Sequence, residues 1–301
     1  MIFLLTASLL WAFSFGLIGH WLAGLPPCFL AWIRLGLSCL LFVPWAVGSG
    51  RMARRECGEW MLLGGIQYGL MYLFYMAAFV FLPSHRIALY TVLTPLYVTV
   101  LEDFKHRRLN GVYLLAALLA VGGAVLIKGG GTGGVSGNLS GFLLVQVSNL
   151  CFAFGQVHYR RLMSRRGGRE ADVFAWMYLG GVLVTSIPAV MDLAGGDIHL
   201  TGRQVAVLIY LGLVPSGIGF FLWNAGARRV NAGTLAVFNN VKIPLAVGVS
   251  VLAFGEMVHV PSLLAGLVVL TGAFWLTTGR FANGSKGSWP TSGLPVADRS
   301  G

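Results

Sequence analysis

The polar stretch at residues 238–244 is the part of this sequence most able to do chemistry. It reads Phe238-Asn239-Asn240-Val241-Lys242-Ile243-Pro244 and lies inside an apolar run at residues 235–254. A charged side chain at membrane depth is poorly solvated by hydrocarbon and usually marks a functional site. The proline also frees a backbone carbonyl, which protein or water must satisfy. We interpret the stretch as one wall of a polar cavity.

Lys242 and Arg34 are cations within apolar segments that contain no deep aspartate or glutamate. A bound anion or carboxylate could supply the missing counter-charge, and Lys242 could form a charge-assisted hydrogen bond to it. Two other interpretations stay open. Lys242 could extend to the lipid headgroups, as long basic side chains do. Arg34 could be a structural anchor bonded to freed backbone carbonyls.

Several apolar segments carry polar or aromatic residues at i, i+3, i+4 and i+7, which share one helix face. The candidate contact residues on these faces are Trp11, Phe15, Tyr68, Tyr72, Tyr75, Tyr90, Gln146, Asn149 and Asn224. The same faces also carry Gln156, Ser216, Phe220 and Trp223. Such groups could join helices at about 1 kcal/mol each or less, or line a solute path. We take the set as a path in which Lys242 holds a carboxylate and Asn239 and Asn240 orient it. The tyrosines of the third segment (Tyr68, Tyr72 and Tyr75) would contact the solute's side chain, together with Trp11.

The composition is that of an integral membrane protein. The 301 residues are 56% hydrophobic and 10% charged, with a mean hydropathy of +0.78, whereas soluble domains are about 25% charged. The net charge of +11 sits in alternate loops rather than on one face, which argues against a nucleic-acid partner. The four cysteines and six histidines lack metal-ligand or redox spacing, and no nucleophile elbow or P-loop occurs. The sequence therefore predicts no cofactor, no metal and no enzyme.

Ten segments are long and apolar enough to cross a bilayer, so we predict an all-α membrane fold of ten helices. They lie at residues 2–19, 28–47, 60–81, 86–101, 112–127, 140–159, 173–191, 205–225, 235–254 and 262–280. We treat the first as a spanning helix rather than a signal peptide because the repeat described next needs it. Of the basic residues in the loops, 16 fall on one side and three on the other. The positive-inside rule then places both termini in the cytoplasm.

The two halves of the chain resemble each other. Residues 31–36 (AWIRLG) match residues 175–180 (AWMYLG), and Pro95-Leu96 matches Pro244-Leu245 in the same order. We predict a five-helix repeat at 1–128, a Gly-rich linker at 129–139, a second repeat at 140–280 and a disordered cytoplasmic tail at 281–301. An odd number of helices per repeat inverts the second one, and inverted repeats are typical of secondary transporters.

The chain resembles the drug/metabolite transporter superfamily in its EamA-like branch. The resemblance covers residues 1–280 and is carried by Ser8–Gly16, Thr94–Thr99, Asn240–Leu245 and Phe254-Gly255-Glu256. The last three stretches are similar to a subgroup of carboxylate, amino acid and amine transporters. This resemblance implies ten helices, inverted repeats, a bacterial inner-membrane location and export as the direction. The first repeat departs from the pattern, because it has no Gly-Glu after its fourth helix.

These observations favour a secondary transporter that moves a small amino acid or related carboxylate by alternating access through a midplane cavity. Its partners would be the solute and the lipid bilayer; a homodimer is left open. Export of cationic drugs or amines is the alternative, although such exporters usually need a membrane carboxylate to hold the cation. A polytopic membrane enzyme is a further alternative, but it would need clustered His, Asp or Cys, and the sequence offers no such cluster.

Overall fold

A computed structural model describes residues 1–48, 52–105, 134–196, 198–230 and 232–256, together with isolated positions between 261 and 272. These ranges are helical and contain no β-strand. The α-helices are α1 Ile2–Trp21, α2 Pro27–Gly48, α3 Arg54–Gly64, α4 Met71–Ala78, α5 Ser84–Tyr90, α6 Thr94–Lys105, α7 Gly134–Arg166, α8 Ala171–Ala194, α9 Gly202–Leu211, α10 Gly219–Ala227 and α11 Ala232–Leu252. Two π-helical stretches, Gly65–Leu70 and Gly212–Ile218, and one 3₁₀ turn, Thr91–Leu93, connect some of them without a break.

Eight of the ten predicted segments coincide with these helices. Six helices within the described ranges are long and apolar enough to cross a membrane. The predicted segment at 112–127 and most of the one at 262–280 lie outside the described residues. The prediction of residues 140–159 for the sixth segment was too short, since α7 has 33 residues and begins inside the predicted linker. The count of ten helices, the inverted repeats and the domain limits stay predictions.

Three pairs of α-helices are each joined into one continuous rod by a short stretch that is not α-helical. The π-helical stretch Gly65–Leu70 joins α3 to α4, the 3₁₀ turn Thr91–Leu93 joins α5 to α6, and the π-helical stretch Gly212–Ile218 joins α9 to α10. Each leaves backbone carbonyls without their regular helical donor, and π-turns of this kind are frequent at functional sites.

Side chains from neighbouring helices satisfy the freed carbonyls of the stretch Gly212–Ile218. The indole N–H of Trp11 donates to the Pro215 carbonyl at 2.9 Å, and the Tyr178 hydroxyl donates to the Ser216 carbonyl at 2.6 Å. The Ser38 hydroxyl donates to the Gly212 carbonyl at 2.7 Å. Irregular backbone at membrane depth is tolerated where protein supplies such partners, so α1, α2 and α8 hold this stretch in place.

Helices α3 and α8 cross with their backbones in direct contact. A Cβ added at Gly180 would lie 1.9 Å from the Met61 carbonyl oxygen, and one added at Gly64 would lie 1.9 Å from the Met177 carbonyl oxygen. Small residues permit such close approach of membrane helices. Gly64 and Gly180 are therefore the two positions at which this crossing leaves no room for a side chain.

Glu256 ties the end of α11 to the start of α5. Gly255 turns the chain after α11 with a φ of 64°, a conformation that favours glycine. The Glu256 carboxylate accepts hydrogen bonds from the backbone N–H of Ser84 at 3.2 Å and of His85 at 3.1 Å, and from both side chains. Burial alone raises the pKa of Glu256, but the bonds from His85 and Ser84 lower it more, so the net pKa lies below the usual carboxyl value.

Candidate functional site

A cavity lies among α1, α2, α4, α6, α7, α10 and α11. It holds about 530 Å³ of empty space, including the part that opens out of the protein. The lining residues are Trp11, Ser14, Phe15, Arg34, Met71, Tyr72, Tyr75, Thr91, Thr94, Ser148, Asn149, Phe152, Phe220 and Lys242. Each of the three interrupted helices (α3–α4, α5–α6 and α9–α10) supplies residues that line the cavity. The interruptions in regular helix therefore lie close to the cavity.

Lys242 reaches this cavity from the middle of α11. Its side chain is only 5% exposed, and its Nζ atom lies 5.2 Å from the ring centroid of Trp11, 5.8 Å from that of Phe152 and 5.9 Å from that of Trp223. Cation–π attraction of this kind is worth about 0.5–2 kcal/mol. The Asn239 side-chain oxygen accepts from Nζ at 3.5 Å, at the long limit of a hydrogen bond. The alternative in which Lys242 extends to the headgroups is wrong, because the amine points into aromatic rings.

The described part of the chain contains no carboxylate within ion-pairing distance of Lys242. The ion pairs found there involve residues at or beyond helix ends: Arg55–Glu59, His85–Glu256, Arg166–Glu56, Arg166–Asp172 and Arg228–Glu170. A buried cation without a counter-charge is costly. Lys242 therefore lacks a counter-charge among the described residues.

Arg34 is held by hydroxyl groups rather than by freed carbonyls. Its Nε donates to the Ser216 hydroxyl at 3.1 Å and its Nη2 donates to the Tyr72 hydroxyl at 3.1 Å. The guanidinium also lies 4.7 Å from the Tyr72 ring centroid. The anchoring interpretation named the wrong acceptor, although Arg34 does fasten α2 to α4 and to the π-helical stretch at Ser216. Tyr178 occupies the position that matches Arg34 in the sequence repeat, and it too bonds to Ser216.

Asn149 and Gln146 on α7 bond to the break between α5 and α6. The Asn149 amide donates to the Tyr90 carbonyl at 3.0 Å, and the Gln146 amide donates to the same oxygen at 3.4 Å. Asn149 also accepts from the Thr94 hydroxyl at 3.2 Å. Asn149 faces the cavity, whereas Gln146 and Tyr90 lie behind it. These two predicted contact residues join helices in this conformation.

Tyr68 and Asn224 do not line the cavity but bond to each other. The Asn224 amide donates to the Tyr68 hydroxyl at 2.9 Å, and the Tyr68 ring stacks on Tyr178 with centroids 4.7 Å apart. Asn239 contacts Lys242 but does not line the cavity itself. The side chain of Asn240 lies outside the described residues. The predicted residues that do line the cavity are Trp11, Phe15, Arg34, Tyr72, Tyr75, Asn149 and Lys242.

Comparison with known proteins defines the family. The family model described as "EamA-like transporter family" matches residues 1–129 and 139–278. The chain belongs to the EamA-like transporter family. A biotin transporter of Salmonella typhimurium is 40% identical over 281 residues, covering 92% of each chain. An aromatic amino acid exporter of Ancylobacter novellus is 24% identical over 243 residues, covering 78% of this chain and 81% of that one.

A solved crystal structure shares the fold of this EamA-like transporter. The two superpose with a TM-score of 0.64 at 22% identity, covering 92% of this chain and 97% of the other. Membership of the family makes the chain a multi-pass membrane transporter and not an enzyme, as the sequence predicted. The two relatives named above are bacterial transporters, consistent with an inner-membrane location. The resemblance to the superfamily is thereby confirmed.

Sequence reasoning missed several lining residues of this transporter. Phe152 follows Asn149 by three positions and so shares its helix face, a signal that was available. Phe220 shares a predicted face with Ser216 and Trp223, but it was not among the candidate contact residues. Together with Trp11 and Trp223 these rings form the aromatic wall beneath Lys242, with centroids 5.0–6.3 Å apart. A single sequence does not tell which rings from distant helices meet.

Proposed function

We propose that this transporter carries biotin across the membrane through the cavity, with Lys242 holding the biotin carboxylate. Biotin is a monocarboxylate with an apolar chain that leads to a fused ring containing a cyclic urea. The support from relatives is the biotin transporter of Salmonella typhimurium, 40% identical over nearly the whole chain. The support from the site is a buried lysine with no carboxylate partner in the described ranges.

The observation that carries the proposal is the surroundings of Lys242. An incoming carboxylate would form a charge-assisted hydrogen bond with Nζ in a poorly solvated site, where such bonds are strong. The rings of Trp11 and Phe152 offer an apolar surface beside the amine, and Phe220 packs against both. An anionic end followed by an apolar body is the ligand shape that this arrangement suits.

The charges of the cavity favour a monocarboxylate over the other solutes considered. Its charged lining residues are Arg34 and Lys242, and the described lining holds no carboxylate. The ammonium of a zwitterionic amino acid would be placed near two cations, at a cost set by like-charge repulsion. A cationic drug would meet the same repulsion without a compensating carboxylate. Amino acid transport is the second candidate, because one relative is an aromatic amino acid exporter.

For the mechanism we propose alternating access by relative movement of the two predicted repeats, with both termini in the cytoplasm. The irregular stretches at Gly65–Leu70, Thr91–Leu93 and Gly212–Ile218 would serve as bending points. Helix irregularities let a rod change direction without losing all of its hydrogen bonds. The direction of biotin movement follows from the gradient in this scheme, and export stays the direction implied by the superfamily resemblance.

Counterflow in proteoliposomes tests the function directly. Vesicles are loaded with unlabelled biotin, diluted into labelled biotin and compared with empty liposomes, and the same is done for alanine, phenylalanine and a quaternary amine. We expect transient accumulation of labelled biotin only. Accumulation of an amino acid but not biotin would replace the proposed substrate by the second candidate. Accumulation of the amine alone would remove the role of Lys242 as a carboxylate ligand.

A further inference from the structure

Four deeply buried side chains carry polar atoms that have no hydrogen-bond partner within the described residues. These atoms are Gln67 Oε1, Gln156 Nε2 and Oε1, Tyr159 Oη and Trp223 Nε1. Each of the four residues is at most 1% exposed. An unpaired buried polar group costs free energy, and native proteins contain few of them. Gln156 is the extreme case, because both ends of its amide are unpaired. We call Gln67, Gln156, Tyr159 and Trp223 the inner cluster.

The inner cluster continues directly from the cavity. Asn149, Phe152, Gln156 and Tyr159 follow one another at helical spacing on α7 and share one face. The first two line the cavity, and Gln156 lies one turn, about 6 Å, beyond Phe152. This direction leads to the basic end of α7, which carries Arg165 and Arg166. The unpaired groups therefore follow the cavity along the helix that helps to form it.

Other members of the inner cluster approach this part of α7 from two helices. Trp223 on α10 packs against Phe152 with ring centroids 6.3 Å apart. Gln67 lies against the backbone of α7 at Gly155, where an added Cβ would come within 2.1 Å of its Cγ atom. The Gln67 amide donates to Asn224 at 3.3 Å, which leaves its oxygen free. Unpaired polar atoms from α7, from α10 and from the stretch Gly65–Leu70 thus lie along the part of α7 that begins at Phe152.

We propose that Gln156 is a second recognition point for the solute, which binds the cyclic urea of biotin as the molecule moves from the cavity toward the basic end of α7. This inference rests on the proposed function. A primary amide and a cyclic urea are planar and complementary. The Gln156 Nε2 donates to the urea oxygen while a urea N–H donates to Gln156 Oε1. Trp223 Nε1 is a further donor for the same urea oxygen.

This role explains why the Gln156 amide has no partner among the described residues, because its donor and acceptor are reserved for the solute. Gln156 does not line the cavity in this conformation. The contact between its amide and the urea therefore forms in another conformation, after the solute has moved from the cavity toward the basic end of α7. A site built to hydrogen-bond a urea discriminates against solutes that lack one, because its buried polar groups are then left unpaired. Lys242 would select the carboxylate and Gln156 the urea, at two points along one path.

The test uses Gln156→Met, a change of similar volume that removes the amide. Counterflow of labelled biotin is measured with unlabelled biotin or lipoate as competitor, since lipoate has a pentanoate chain and a sulfur ring but no urea. In the wild type, lipoate should compete at least about tenfold more weakly than biotin, the usual weight of one to two neutral hydrogen bonds. In Gln156→Met that ratio should fall toward one as biotin binding weakens. The milder Gln156→Asn variant should give an intermediate ratio.

A stability measurement separates recognition from a structural role. Gln156→Met removes an unpaired buried amide, so its melting temperature without solute should equal or exceed that of the wild type. Gln146→Met makes the same change on the same helix, but the Gln146 amide bonds to Tyr97, Asn149 and Tyr90. This control should lower the melting temperature and leave the lipoate-to-biotin ratio unchanged.

The outcomes distinguish the two proposals. If the wild type shows no biotin counterflow, the proposed function fails and takes this inference with it. If the wild type carries biotin but Gln156→Met retains the full discrimination against lipoate, only the inference is overturned. It is also overturned if Gln156→Met is less stable than the wild type and weakens both competitors equally, since that result is the signature of a packing residue.

Discussion

Replacing Lys242 by methionine removes the charge while keeping most of the side-chain volume. In the structure the amine is buried, lies over three aromatic rings and has no carboxylate partner in the described ranges. Without solute, Lys242→Met should therefore be at least as stable as the wild type, because an uncompensated buried charge is lost. With solute, it should lose the main contact to the carboxylate.

The magnitude follows from the kind of bond lost. Hydrogen bonds to charged groups contribute about 1.5–3 kcal/mol, and every 1.4 kcal/mol is about tenfold in affinity. Burial keeps solvent from weakening this pair, so we expect the upper half of that range, roughly 40- to 140-fold weaker biotin binding. A ligand with the same body but no charge, biotin amide, should lose no more than a few-fold.

The assay compares two ligands on two proteins. The half-saturation concentrations of biotin and biotin amide are measured by counterflow competition for the wild type and for Lys242→Met, with Lys242→Arg as the charge-conserving control. The melting temperature of each protein checks that it is folded. The reasoning about Lys242 is refuted if Lys242→Met handles biotin as the wild type does, or if both ligands weaken by the same factor. Either result would make Lys242 a packing residue of the aromatic wall.

Two further predictions concern the scaffold. Gly180→Ala should destabilise the protein by about 1–3 kcal/mol, because its new Cβ meets a backbone carbonyl of α3. Gly36→Ala, at the matching position of the other repeat and with nothing within 4 Å, should leave the melting temperature equal or slightly higher; equal losses in both would contradict the packing argument. Because the pKa of Glu256 is lowered in the folded protein, its contribution to stability is present above the usual carboxyl pKa and is lost as the pH falls below it. Glu256→Gln should therefore lower the melting temperature at pH 7 and flatten its decrease in acid, whereas an acid profile parallel to that of the wild type would show that the bonds to His85 do not contribute.

Much of the fold could be predicted from the sequence because the cost of exposing polar groups to lipid is a local property. A run such as residues 2–19 is mostly apolar and contains no charged residue, so it must be a spanning helix wherever its neighbours lie. The prediction was least accurate at helix ends and irregularities. The break at Thr91–Leu93 depends on donors from Gln146 and Asn149, which lie more than fifty residues away in the sequence.

In the candidate site too, local anomalies could be predicted from the sequence, whereas contacts between distant residues could not. Lys242 and Arg34 were found from sequence alone, since a cation in an apolar segment is anomalous without any partner being known. The roles of Gln146, Tyr90 and Asn224 were less predictable. An amide at helical spacing has the same pattern whether it faces a cavity or bonds to a neighbouring helix.

The sequence by itself determined that the chain crosses a membrane and that it carries two cations in apolar segments without a deep carboxylate. Only the tertiary structure decided which polar groups are satisfied. It paired Arg34 with Ser216, placed Lys242 over Trp11, and left the Gln156 amide without a hydrogen-bond partner among the described residues. The physical reason is that hydrophobicity and charge are properties of a segment, whereas hydrogen bonding is a property of pairs, and these pairs join helices that are far apart in the chain.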